Sequence, residues 1–237
     1  MPISGGQVVW YQDMGELRRK KEKLELTAQT LRRVYRLRRN WEKIRRERIH
    51  QHTRQRIYEE VEGILQSKGP LFLRYARALE GAESGEGARQ VVARLNVLAC
   101  YLKKQCVLLL RGREDNSLPA RELQLAVGEL CHYLERTGLK TLVDDRLEGP
   151  LPVETALAFF QLLEEASEEA VRQGEQSQIC CLKETGRGWE LSLLWDPHPW
   201  VRAFVAGHQA RYGRDLSCRE LEYGSSLVIQ QQRRGGR

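Results

Sequence analysis

From residue 14 to about residue 66 the chain contains no proline, and its apolar residues recur at helical spacing. Leu17, Leu24 and Leu31 fall seven apart, and Val34, Leu37, Trp41 and Ile44 continue in steps of three and four, the seam of a coiled coil. A helix of about 50 residues, some 75 Å long, cannot bury such a stripe on itself. The pattern therefore predicts pairing with a second copy, most simply as a parallel dimer. Ser67-Lys68-Gly69-Pro70 predicts a kink or interruption, residues 71–79 a resumed helix, and Gly81 to Gly87 a hairpin tip. The return helix, residues 88–111, carries Val91, Leu95, Leu98, Leu102, Cys106 and Leu109 on one face. Two such helices from each of two chains would make a four-helix core.

After a loop at residues 111–119 the element type alternates. An amphipathic helix over 120–137 is closed by Gly138, and a short strand follows at 139–143. Gly149-Pro150-Leu151-Pro152 leads into a helix to about Gly174. Strands at 178–183 and 189–195 flank the hairpin turn Thr185-Gly186-Arg187-Gly188, a helix spans 201–212, and a second hairpin pairs 216–221 with 227–232. This order predicts an α+β protein, with a sheet layered by helices on one face and a tail, Arg233 to Arg237, that is disordered.

Charge changes the picture of the first segment. The net charge is +7, but residues 16–56 hold 16 Lys/Arg against 5 Asp/Glu, a local +11 that leaves −4 for the rest. Such a segment suits nucleic acid, an anionic membrane, an acidic partner or a solvated coiled-coil surface. No apolar run approaches the roughly 20 residues that span a bilayer, and Met1-Pro2-Ile3-Ser4 lacks the start of a signal peptide, so a cytoplasmic protein is expected. The six cysteines show no CxxC spacing and read as reduced core thiols, with no metal site.

One histidine stands out. In the helical stretch around Glu47 to Ile64, Ile49, Thr53, Ile57, Val61 and Ile64 line one side, and His50 lies one residue, about 100°, off that seam, where it can reach solvent. The run Arg48-Ile49-His50-Gln51-His52-Thr53-Arg54-Gln55-Arg56-Ile57 resembles the phosphoacceptor box of two-component sensor histidine kinases, approximately R-I-H-D-x-L-G-Q-x-L. Arg48, Ile49, His50 and Gln55 coincide with it, and Ile57 replaces a leucine; Gln51 stands where the family has the acid that acts as general base, and an amide cannot take a proton. The segment Arg94 to Lys104 resembles the second dimerisation helix.

Glu165-Ala166-Ser167-Glu168-Glu169-Ala170-Val171-Arg172-Gln173-Gly174 keeps the frame of the family's nucleotide-binding helix. Glu169 replaces the asparagine that holds Mg²⁺, and Gln173 replaces a histidine. Asp196 is the aspartate that would receive the adenine amino group, but Pro197 replaces the glycine beside it, and no glycine-rich lid fits before residue 201.

Over residues 14–232 the chain thus resembles the transmitter region of a sensor histidine kinase. The resemblance implies three segments: a basic signalling coiled coil at 1–45, a dimerisation and phosphoacceptor-like hairpin at 46–115, and an ATPase-like (Bergerat, GHKL) two-layer α/β domain without its lid at 116–237. It also implies a dimeric pseudokinase scaffold that binds a response regulator or a partner kinase. His50 is the candidate phosphoacceptor, and Glu165, Glu169 and Asp196 form a vestigial nucleotide site that takes ATP and Mg²⁺ only if it still binds them. The alternatives are an ATP-independent phosphotransferase using His50, a weakly active kinase, or a nucleic-acid-binding coiled coil using Arg32, Arg33, Arg36, Arg38 and Arg39. No DNA-reading module accompanies those arginines, so no nucleic acid is expected. His52 reads as a solvent-facing neighbour and His132 as structural, and His198 and His208 are assigned no role.

Overall fold

The structure, a computed structural model, describes Gly5 and residues 15–81, 85–112 and 116–232, without the side chains of residues 17, 50, 52–54, 56 and 57. The centre of the hairpin tip and the tail at 233–237 lie outside the described residues. The chain divides into two compact units, Met1–Glu59 and Glu60–Arg237.

Apart from Gly5, the described part of the first unit is helix, residues 15–59 of α1 (Gly15–Glu80). The expected seam residues stay in solvent: Trp41 is 70% exposed, and Leu24, Leu31, Val34, Leu37 and Ile44 are exposed with it. Local contacts decorate the helix, including Lys20–Glu16 at 3.3 Å and Arg38–Glu42 at 3.4 Å. Each i,i+4 pair stabilises a helix by only about 0.2–0.5 kcal/mol.

The second unit begins with the remainder of α1 and continues with α2 (Glu86–Arg111), β1 (Ser117–Leu118), α3 (Ala120–Glu135), β2 (Lys140–Arg146), β3 (Leu151–Pro152) and α4 (Val153–Gln173). Then come β4 (Ser177–Thr185), β5 (Gly188–Trp195), α5 (Trp200–Tyr212), β6 (Leu216–Leu221) and β7 (Gly224–Gln232). Five strands form one sheet in the order β2-β4-β5-β7-β6, and only the β2–β4 pair is parallel. That pair needs a crossover, which α4 supplies.

Strand alternation decides what the sheet buries. Cys180 and Leu182 on β4, Leu191 and Leu193 on β5, and Leu227 and Ile229 on β7 are buried together on the face covered by α3, α4 and α5. On the opposite face Leu142, opposite Ile179, is 65% exposed. The core does not stop at the sheet domain: Tyr75 of α1 and Val97, Leu98 and Tyr101 of α2 belong to the same buried cluster, with the Tyr101 ring stacked 5.5 Å from that of Phe160.

Two sequence expectations need correction. Of the kink or interruption expected at Pro70, the interruption does not occur: α1 runs on through it. Pro70 sits on an exposed side, where water can serve the carbonyl that loses its partner, while Lys68, Leu71 and Tyr75 hold the same helix against the core. The supposed loop at 111–119 contains β1, which pairs antiparallel with β3. A two-residue bridge is shorter than any period a sequence pattern can reveal.

Candidate functional site

α4 carries the acidic run Glu164-Glu165-Ala166-Ser167-Glu168-Glu169, and helical spacing sorts it into two rows one residue apart. Glu164 and Glu168 form one row, Glu165 and Glu169 the other. Each row has its own set of partners.

The first row faces α1. Glu164 is buried, 2% exposed at its side chain, and pairs with Lys68 Nζ, itself 11% exposed; that ammonium lies 5.0 Å from the Tyr101 ring centroid. Burial pushes the Glu164 carboxyl up to about 7 and outweighs the attraction of Lys68. One turn along, Glu168 accepts the Tyr75 hydroxyl, and Arg74 stands 3.6 Å away. Burial, reinforced by the bond to Glu168, pushes the Tyr75 phenol up to about 12.

The second row contains two of the three nucleotide-site residues expected from sequence, Glu165 and Glu169. Glu165 Oε1 accepts from Arg211 at 2.8 Å and from Gln161 at 2.9 Å, Oε2 accepts the Tyr212 hydroxyl at 3.1 Å, and His208 Nε2 lies 3.8 Å away. Glu169 accepts from Arg172 and Gln173 at 2.7 and 2.6 Å. Burial raises the Glu169 carboxyl, but those hydrogen bonds win and hold it below the ordinary carboxylate range.

Three of the groups around Glu165 come from α5, and their placement follows a ladder that sequence reading missed. Trp200, Phe204, His208 and Tyr212 recur every four residues and so share a face. Trp195 stands edge-on to Trp200 at 4.8 Å, Phe204 stacks on His208 at 3.9 Å, and His208 is followed by Tyr212 at 6.4 Å. Trp200 Nε1 donates to Glu175 at 2.9 Å, just past Gly174, whose positive φ of 83° ends α4. The W-x₃-F-x₃-H-x₃-Y spacing was visible in the sequence, and His208, given no role there, belongs to it.

A buried polar network fixes α4 to the sheet. Gln178 donates to Ser167 Oγ at 2.9 Å and accepts from Trp195 Nε1 at 3.1 Å. Asp196 follows that indole and is exposed, at the start of the four-residue β5–α5 connection Asp196-Pro197-His198-Pro199. Glu165 and Glu169 are thus one turn apart on α4, whereas Asp196 stands at the end of β5. Cavities of about 390 Å³ (Thr185 to Trp189 with Gln230 to Gln232) and about 600 Å³ (including Ser117, Arg121, Gln124 and Glu148) are lined by none of these three.

The His50 main chain is helical, within α1, but its side chain lies outside the described residues. His132 is exposed and His198 Nδ1 faces the Trp200 amide at 3.5 Å. All six thiols are free. Among the described residues no group of three His, Cys, Asp or Glu is placed to hold a metal, and no helix is long and apolar enough to cross a membrane.

The fold defined here is α+β, with a helical N-terminal region and a mixed five-stranded sheet carrying its helices on one face. No family model and no curated protein matches the chain. Among solved structures it is similar to the histidine kinase domain of the Erythrobacter litoralis EL346 blue-light activated histidine kinase, at 15% identity over 68% of this chain and 94% of that one, TM-score 0.41. It is also similar to a bacterial phosphotransferase (10% identity, 73% and 93% covered, TM-score 0.43) and to the Acinetobacter baumannii histidine kinase AdeS (12%, 71% and 96%, TM-score 0.38).

Proposed function

We propose that this chain is a histidine-kinase-like protein of two-component signalling whose nucleotide crevice is closed, a homodimeric scaffold that binds a response regulator or a partner histidine kinase. The proposal keeps the segments read from the sequence, 1–45, 46–115 and 116–237. The observation that carries the reading is the occupation of Glu165 by Arg211, Tyr212 and Gln161, together with that of Glu169 by Arg172 and Gln173.

A magnesium ion bridging phosphates needs ligand oxygens turned toward it. Here both carboxylates are held by the protein's own donors, and the extra charge of Glu169 would oppose a triphosphate. The four-residue β5–α5 connection contains two prolines, which lack the N–H groups that a phosphate-closing loop would offer. These residues do not fit Mg·ATP. The exposed residues Leu65, Phe72 and Leu79, spaced seven apart along α1, offer the hairpin a face for a second copy.

Calorimetric titration of the full chain with Mg·ATP is expected to give no heat, and incubation with labelled ATP no label on His50. Micromolar binding together with label on His50 would sink the scaffold reading. Phosphate transfer from a phosphorylated regulator that disappears in His50→Ala would instead assign the chain as an ATP-independent phosphotransferase.

A further inference from the structure

The charges along residues 31–46 do not suit a second copy of this chain. Leu31, Val34, Leu37, Trp41 and Ile44 form an exposed seam. Around it stand eight Lys/Arg against one acid, Glu42, which is paired with Arg38 at 3.4 Å. In a parallel two-helix seam built on Val34, Leu37, Trp41 and Ile44, residue 33 of one helix faces 38 of the other, and 40 faces 45. Self-pairing would bring Arg33 against Arg38 and Asn40 against Arg45, which gives repulsion and no compensating ion pair.

Two other anionic surfaces fit less well. Arg38 and Arg45 each lie four residues, about 40°, from a seam residue, so the apolar stripe has the narrow width of a coiled-coil seam and not the broad apolar face with which a helix lies on a flat bilayer. A nucleic-acid backbone would satisfy the arginines but leave Leu37, Trp41 and Ile44 uncovered. What matches both features is a helix that is apolar on one stripe and acidic beside it.

We propose that residues 31–46 dock an acidic amphipathic helix of another protein, its apolar stripe against Leu31, Val34, Leu37, Trp41 and Ile44 and its carboxylates against Arg33, Arg38 and Arg45. The proposal uses no residue of the sheet domain and leaves the hairpin face at Leu65, Phe72 and Leu79 to the homodimer, but it replaces self-pairing of residues 31–46 by a second protein.

The test is fluorescence anisotropy with the full chain and a labelled synthetic peptide that has a Leu/Ile heptad seam and Glu at the flanking positions. The peptide should bind at low salt, and binding should weaken about tenfold at high salt. The triple variant Arg33→Glu, Arg38→Glu, Arg45→Glu should lose it and bind the matched Lys peptide instead. These substitutions lie outside the buried core, and an unchanged thermal melt will verify the fold. No binding of the Glu peptide, or equal binding of the Lys peptide, overturns the proposal. So does arginine-dependent binding of duplex DNA or phosphatidylglycerol vesicles at lower concentration than the peptide. A dimer in sedimentation velocity that Leu37→Asp dissociates would give the seam to a second copy and equally overturn it.

Discussion

Glu164 has an opposite charge against it and still behaves as a weak acid, because burial costs its anion more than Lys68 returns. Raised to about 7 from an ordinary value of 4.5, the carboxyl is protonated more readily in the folded chain than in the unfolded one. Its contribution to stability is therefore full below the ordinary range and lost as pH rises through about 7. Glu164→Gln removes that titration, so urea unfolding at pH 5 and pH 8 should show the wild type losing ground to the variant at the higher pH. Lys68→Met leaves the carboxylate without its counter-charge and should cost about 3–5 kcal/mol at pH 8, less at pH 5. Neither effect was legible in the sequence. Lys68 and Glu164 stand 96 residues apart, and only the fold makes them neighbours. At Glu165, Tyr212→Phe removes one hydrogen bond and should cost about 1 kcal/mol, with no gain of nucleotide binding because Arg211 remains.

Among the elements, α1 and the β6–β7 hairpin show opposite relations between sequence signal and outcome. Proline in a helix interior costs about 3 kcal/mol relative to alanine, partly offset by its smaller unfolded-state entropy. α1 absorbs that cost at Pro70 because its flanks are anchored, so Pro70→Ala should raise the melting temperature, by roughly 1 kcal/mol of added stability. Gly224 gives the reverse case. A Cβ there would lie 2.6 Å from the carbonyl oxygen of Trp195, a backbone atom that cannot turn aside, so Gly224→Ala should lower stability by about 1–3 kcal/mol in denaturant unfolding. The helices and five principal strands were readable because their apolar periods run for several residues. β1 and β3, with two residues each, left no period to read.

For the whole molecule, the proposed homodimer places Phe72, 50% exposed, at the centre of the Leu65–Phe72–Leu79 face. Phe72→Asp should shift sedimentation velocity to the monomer while leaving the melting temperature within a few degrees, since the side chain is outside the core. The sequence by itself determined what depends on local order: the helical and strand periods, the α+β class and the concentration of positive charge in the first segment. The tertiary structure alone decided which side chains answer one another across the chain. It gave the two rows of the α4 acidic run different partners, with Glu164 and Glu168 facing α1 and α5 closed over Glu165. Sequence spacing places residues on a helix face, but the partner of that face is set by long-range packing, which no local period encodes.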